Sequence, residues 1–354
     1  MKDMQKWMLV LAMSALMVGL LAACGGGSNT TGGNAGAAEG AAEGAASGNE
    51  GASSEIPEEA NGAEPDEAEG AAEPSFRSVT TLAGTVDIPA NPQRIVLTYD
   101  DDVDHFMALG LKPAAAPLYE RTDNINGYLP YLADQLEGME TFPLSANLEP
   151  IVSANPDLLV AGYHHREVLA DLQKIAPTVY FDWVVDWRQT HLEMGRVLNL
   201  EEKAQANVDA FNAEVETTKA YLAETIGDDP VAFIRVRQNA LELYGGPGTG
   251  SSASFILYDL LELTPVKDAA TDTWGGPYSL ESFTQSEAEH LFVLIQENEE
   301  NLALVDDMLA NELYQNVPAI QKGQVYKVHS YPWERGGPIA FTEGMKEIRE
   351  MVQP

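Results

Sequence analysis

A single cysteine, Cys24, stands among 354 residues, so the chain can close no internal disulfide. Basic residues are scarce as well: 20 Lys and Arg face 55 Asp and Glu, for a formal net charge of −35. A field of that sign argues against nucleic acid and anionic lipid surfaces as partners. It is spread along the whole chain and speaks to solubility in salty or alkaline surroundings more than to any one pocket. Beyond residue 23 no apolar run approaches the roughly 20 residues that cross a bilayer. There is no Gly-x-Ser-x-Gly elbow and no His-Glu-x-x-His pair, and the six histidines are mostly scattered. An extracellular hydrolase would therefore lack both a nucleophile with its base and a metal triad.

What is present begins at the N-terminus. Lys2 and Lys6 precede an apolar run from Trp7 to Ala23, and the run closes on Leu-Ala-Ala-Cys at 21–24. A basic start, a short apolar stretch and small residues before the cut outline a secretory signal over 1–23. Leu-Ala-Ala-Cys is also the pattern read by lipoprotein processing, which attaches lipid to the Cys24 thiol and cleaves before it. Residues 24–78 are rich in Gly, Ala and Glu, with almost no large apolar side chains and no Lys or Arg before Arg77. Such a segment cannot bury enough surface to offset its chain entropy and is expected to be a disordered acidic tether. With about fifty residues its root-mean-square reach is on the order of 40 Å.

From residue 79 onward short apolar runs alternate with helical stretches. Residues 94–98, 156–161 and 176–181 read as strands in the first half, with a helix over 166–174 between the last two. Gly110 marks a helix stop, and the acids at 100–102 and 104 read as helix-capping residues more than as a calcium loop. Between Glu201 and Ile226 the texture changes: Ala204, Val208, Phe211, Val215, Leu222 and Ile226 recur at helical spacing, with Asn199 as candidate cap. Alternation resumes at 231–236, 241–244, 255–263, 290–295 and 324–329. The pattern predicts an α/β fold with parallel sheet: an N-terminal lobe over 79–200, a connecting helix over 201–229 and a C-terminal lobe over 230–354.

The order of motifs from about Leu82 to the end resembles the substrate-binding lipoproteins of ABC importers for ferric siderophores, haem and vitamin B12. The resemblance is carried by Arg-Ile-Val at 94–96, Ala-Leu-Gly-Leu-Lys-Pro at 108–113, Asn-Leu-Glu-Pro-Ile at 147–151 and Asn-Pro-Asp-Leu-Leu at 155–159. Ser-Leu-Glu-Ser-Phe at 279–283 and Trp-Glu-Arg-Gly-Gly at 333–337 continue it. It implies two Rossmann-like lobes joined by a single long helix, with the ligand cleft between them. It also implies a monomeric, non-enzymatic capture protein that hands a ferric siderophore to a membrane permease and, through it, to a cytoplasmic ATPase. The protein would be lipid-anchored on the extracytoplasmic face of the cell membrane and need no cofactor of its own, the chelated Fe3+ arriving with the ligand. Haem or a cobalamin is the alternative cargo.

Several side chains are candidates for the cleft. Arg235 and Arg237, two apart on a strand, share one face next to Gln238. Two guanidinium forks can hold the oxygen-rich face of a chelate, or be spent on the surrounding acids. Tyr119 and Arg121 sit in a loop at a strand end, where open α/β sheets bind ligands, though a surface stack would use the same two residues. Tyr163, His164, His165 and Arg166 follow a strand and belong at the rim, where hydrogen bonding fits better than metal ligation, since chain neighbours point apart. Trp183, Trp187, Trp274 and Trp333 supply either core or an aromatic wall, Trp333 being preferred because it lies with Arg335 after the last strand. The glycine-rich 245–252 stretch reads as a flexible turn facing the cleft and not as a phosphate loop. Through the resemblance, Glu149 and Glu281 are the two glutamates, one per lobe, that dock onto the permease.

Overall fold

The computed structural model describes residues 75–118, 130–145, 147–237, 240–295, 299–334 and 336–353, all within the unit Glu69–Pro354. The signal segment, Cys24 and nearly all of the tether lie outside them, as do Tyr119, Arg121, Gln238 and Arg335. Strands β1 (Phe76–Thr81) and β2 (Gly84–Pro89) pair antiparallel, Phe76 opposite Pro89 and Thr81 opposite Gly84. Gly84 turns the chain at φ 100°, a conformation that costs glycine no Cβ clash. Strand β1 thus takes in Phe76–Ser78, the end of the stretch expected to be tether, because the partner strand supplies the pairing that composition alone did not announce.

The first lobe then alternates strand and helix through β3 (Ile95–Leu97), α1 (Asp102–Ala108), β4 (Ala115–Leu118), β5 (Glu140–Pro143), α2 (Glu149–Ser153), β6 (Leu158–Ala161), α3 (Leu169–Leu172), β7 (Thr178–Tyr180) and α4 (Trp187–Leu198). Its sheet runs β5-β4-β3-β6-β7, all parallel. β3, β6 and β7 are buried at every position, as strands covered on both faces must be. The helix expected over 166–174 is shorter: a 3-10 turn over Tyr163–Val168 leads into the single turn of α3.

Helix α5 (Glu201–Thr225) follows, 25 residues long, and buries Ala204, Val208, Phe211, Val215, Thr218 and Leu222. Asn199 does not cap it. Asn199 takes the left-handed conformation (φ 60°, ψ 42°) and closes α4 with its backbone N–H, a role asparagine tolerates better than other non-glycine residues. The second lobe comprises β8 (Val231–Arg237), β9 (Ala240–Tyr244), α6 (Ser252–Ser254), β10 (Gly275–Tyr278), α7 (Leu280–Thr284), β11 (His290–Ile295), α8 (Glu299–Ala310), α9 (Pro318–Lys322), β12 (Val325–His329), α10 (Ser330–Trp333) and α11 (Pro338–Met351). Its sheet runs β10-β9-β8-β11-β12. β8, β11 and β12 are parallel, whereas β9 and β10 run antiparallel at one edge.

The lobes do not divide cleanly at 200/201. Met194, Val197 and Ala204 belong to the core of the first lobe, but Trp187 packs with Phe211 and Phe341 in the second. Helix α11 straddles both cores in turn: Ile339 lies on the first, and Phe341, Met345 and Ile348 fill the second. The acids before α1 do not cap it either. Asp101 at its N-terminus makes no side-chain capping bond, and Asp104 accepts instead from the first amides of α11.

Candidate functional site

Two adjoining pockets form where the lobes meet. The wider, about 270 Å³, is lined by Trp183 from the first lobe and by Arg235, Tyr244, Ser252, Trp274, Trp333 and Glu334 from the second, among others. The narrower, about 30 Å³, shares Trp183 and Ser252 and adds Tyr99, Asp101, Asp102, His105 and Trp187 with Gly336 and Phe341.

Arg235 organises the wider pocket. β8 reaches Arg237 and β9 begins at Ala240, so Arg237 pairs with Ala240 and Arg235 with Glu242. Arg235 Nε donates to Glu242 Oε2 at 2.7 Å, and Nη1 donates to Glu334 Oε1 at 2.6 Å. The Tyr244 hydroxyl donates to the same Glu334 oxygen at 2.8 Å. The guanidinium carbon lies 5.8 Å from the Tyr244 ring centre and 5.7 Å from that of Trp274, within cation–π range. Burial works against the Arg235 charge, but Tyr244, Glu334 and Glu242 outweigh it and hold its pKa above the ordinary arginine value. Burial also pushes the Tyr244 hydroxyl up, and Glu334 adds to it, so the phenol stays protonated. Of the two alternatives for these arginines, Arg235 takes the second: its fork is held by two carboxylates. Arg237 continues the same strand.

The tryptophans divide. Trp274 is 43% exposed and Trp183 41%, and both present ring surface to the wider pocket. Trp333 lines it too but is fully buried on Phe233 and Phe292, and it stands in α10, not in a loop. Trp187 is core. The glycine-rich loop is pinned. A Cβ on Gly245 would lie 2.4 Å from the Thr273 carbonyl oxygen, the Ser254 hydroxyl donates to Gly245 O at 2.6 Å, and the Gly248 amide donates to Asp259. It is a shaped wall, and Gly250, Ser251 and Ser252 line the wider pocket.

Tyr163 is half exposed, with the Arg166 guanidinium over its ring, and lines neither pocket. His164 sits edge-on between Tyr99 and Tyr163. His165 turns inward, is buried, and its Nε2 pairs with the Ser145 carbonyl at 3.1 Å. Among the described residues no group of three or more His, Cys, Asp or Glu could hold a metal ion. Glu149 opens α2 and Glu281 lies in the first turn of α7, both exposed. Tyr119, Arg121, Gln238, Arg335 and Cys24 fall outside the described residues. Sequence reasoning passed over Glu242, Tyr244, Glu334 and His105. Glu242 was within reach, because only two residues, 238 and 239, separate the strands and a two-residue connection places 235 opposite 242.

Two α/β lobes that pool side chains around shared pockets define a two-lobed ligand-binding protein. The chain belongs to the periplasmic binding protein family, whose sequence profile matches residues 95–332. It is 24% identical over 276 residues to the iron(3+)-hydroxamate-binding protein FhuD of Bacillus subtilis, covering 76% of this chain and 84% of that protein. It is 26% identical over 283 residues to the probable siderophore-binding lipoprotein YfiY of the same organism, covering 74% and 83%. Its fold matches that of Staphylococcus aureus SirA complexed with staphyloferrin B at a TM-score of 0.63 and 23% identity, covering 78% of this chain and 98% of that one. A FhuD fold-family periplasmic binding protein from Bacillus subtilis matches at a TM-score of 0.65 and 21% identity, covering 77% and 99%.

Proposed function

We propose that this protein captures a ferric siderophore outside the cytoplasmic membrane and delivers it to the permease of an ABC importer. The observation that carries the reading is the wider interlobe pocket: exposed Trp274 over the ion-paired Arg235, with Trp183 contributed from the other lobe. Flat aromatic surface with one fixed guanidinium suits a bulky, oxygen-rich chelate. The named functions of FhuD and YfiY point the same way. The protein does no chemistry itself, and the iron belongs to the cargo. Arg237, Gln238, Tyr119, Arg121 and Arg335 are proposed to complete the ligand shell. Tyr163 is proposed only for the rim.

Glu149 and Glu281 are proposed as the permease-docking pair, each exposed at the start of a short helix. Cys24 is proposed as the lipid attachment, with the 24–78 segment as the tether that keeps a monomeric capture domain near one importer. Cys24→Ser is expected to release a protein that still binds ligand. Haem ligation by His164 or His165 finds no support, because one is sandwiched by tyrosines and the other is bonded to Ser145. The test is titration of the full chain with ferric hydroxamate, catecholate and citrate complexes while following Trp fluorescence. Binding below about 10 µM by at least one is expected, and its absence for all three overturns the reading.

A further inference from the structure

A chain of polar side chains leads to His105 on the wall of the narrow pocket, and its proton positions follow from chemistry. Asn207, on α5, places its amide nitrogen 3.0 Å from the Ala108 carbonyl and 3.1 Å from His191 Nε2. A carbonyl oxygen can only accept, so the atom facing it is the NH2 nitrogen of Asn207 and the orientation of that amide is settled. The same nitrogen's second hydrogen then points at His191 Nε2, which must be the lone-pair nitrogen. Burial holds His191 neutral, its pKa pushed down to about 4, so its one proton sits on Nδ1. His191 Nδ1 lies 3.0 Å from His105 Nδ1, and His105 must accept there. Burial, reinforced by His191, also pushes the His105 pKa down. A neutral ring that accepts at Nδ1 carries its proton on Nε2.

His105 Nε2 is the free end of this pattern. His105 and Gly336 both line the pocket. A Cβ on Gly337 would stand 2.8 Å from Asp104 Oδ1 and 3.1 Å from His105 Nε2, so glycine there leaves room beside the nitrogen that any side chain would fill. A second donor lies beside it: Trp187 lines the same pocket, its ring centre is 5.9 Å from that of His105, and its buried Nε1–H has no hydrogen-bond acceptor among the described residues. Two N–H donors held by buried rings ask for an oxygen acceptor. The pocket's 30 Å³ admits a small end group but not a chelate. Burial, with Asp101 and Asp100 beside it, raises the pKa of Asp102 on this wall, so a further carboxylate is a poor fit and a neutral carbonyl a good one.

Resting on the siderophore-capture reading, we propose that His105 is a ligand-recognition residue whose Nε2–H donates to an uncharged carbonyl oxygen of the siderophore, amide or hydroxamate, in the narrow interlobe pocket. His191 and Asn207 are its positioning residues. They fix the ring's protonation pattern from α4 and α5, so that the pocket always presents a donor.

The experiment has two arms. Long-range 1H–15N correlation on the full chain labelled with 15N-histidine, assigned with His105→Gln and His191→Gln, reads the proton positions without any ligand. His191 protonated at Nδ1 and His105 at Nε2 is expected, and the opposite pattern overturns the proposal. In the second arm ferric trihydroxamate, tricatecholate and citrate complexes are titrated into wild type, His105→Gln and His105→Phe. Gln keeps an N–H near the Nε2 position, so its affinity is expected within about threefold of wild type. Phe loses the donor and is expected to bind about tenfold more weakly, the worth of one hydrogen bond. Equal weakening by Gln and Phe, or none by either, overturns the proposal while leaving the capture reading intact. If wild type binds none of the complexes, the capture reading itself falls, whatever the spectra show.

Discussion

The backbone N–H of Ala340 donates to Asp104 Oδ2 at 2.8 Å, across 236 residues of chain. Ile339 N–H donates to the other carboxylate oxygen at 2.9 Å. An acid of the first lobe thus serves as the N-cap of the last helix, α11, which Gly337 at its start cannot cap with a side chain of its own. Asp104→Ala leaves those amides buried and unsatisfied and is expected to cost about 2–4 kcal/mol, read as a lower urea midpoint at unchanged m-value.

The same carboxyl makes stability depend on pH. Burial raises its pKa from 3.8 to about 7, against the pull of the Ile339, Ala340 and Gly337 amides. Between those values the folded protein holds a proton that the unfolded chain has released, so stability falls as pH rises through the window. The contribution is fully present below pH 3.8 and lost above about 7. Asp104→Asn cannot titrate, so the stability difference between wild type and variant is expected to shift, to the disadvantage of wild type, by on the order of 4 kcal/mol from pH 4 to pH 7. Denaturant melts at four or five pH values measure it, and a constant difference across the window refutes it.

Arg235 is expected to matter for folding as much as for ligand. Glu242 and Glu334 are only 20% and 14% exposed at the side chain, and Arg235→Ala leaves both beside an empty space. The expected loss is about 3 kcal/mol, toward the lower end for a broken buried pair because both carboxylates keep some water. Glu334→Gln retains an acceptor for Arg235 and Tyr244 and should lose less than half as much. Thermal unfolding of the two variants side by side decides it.

Trp274 and Trp333 should respond oppositely. Trp274→Ala removes a ring that is 43% exposed, so it is expected to weaken ferric-siderophore binding about tenfold with little change in stability. Trp333→Ala removes a ring with no exposure, so it is expected to cost about 3–5 kcal/mol of stability. Calorimetric melting and ligand titration on both variants separate wall from core.

Charge reversal at the two exposed glutamates, Glu149→Lys with Glu281→Lys, is expected to abolish iron uptake in cells while ligand affinity stays within about twofold. Loss of binding in the purified variant would show that these positions support the fold or the pockets instead of a permease contact.

Much of this was legible in the residue order, and the reasons are specific. Helix α5 was readable because its buried stripe keeps one period for 25 residues, although it stops at Thr225 and not at the expected 229. β11 was readable because a strand buried at every position is an unbroken apolar run. β5 and α4 were not read. β5 is an edge strand of four residues with no fully buried position, and α4 splits its apolar residues between two cores. The site was partly legible: Arg235 and Trp274 were singled out by residue type. Glu334 and His105 were not, since nothing local distinguishes a glutamate or a histidine that acts through a partner about a hundred residues away.

By itself the sequence determined the class of fold, the long helix between the lobes and the acidic, cysteine-poor surface, because periodicity and composition act locally. Only the tertiary structure decided that Arg235 is spent on two glutamates, that Asp104 caps a helix at the other end of the chain, and that α11 ties together lobes which a single helix connects covalently. Those contacts exist because a buried charge or amide must find a partner wherever packing brings one, and packing is not ordered by position along the chain.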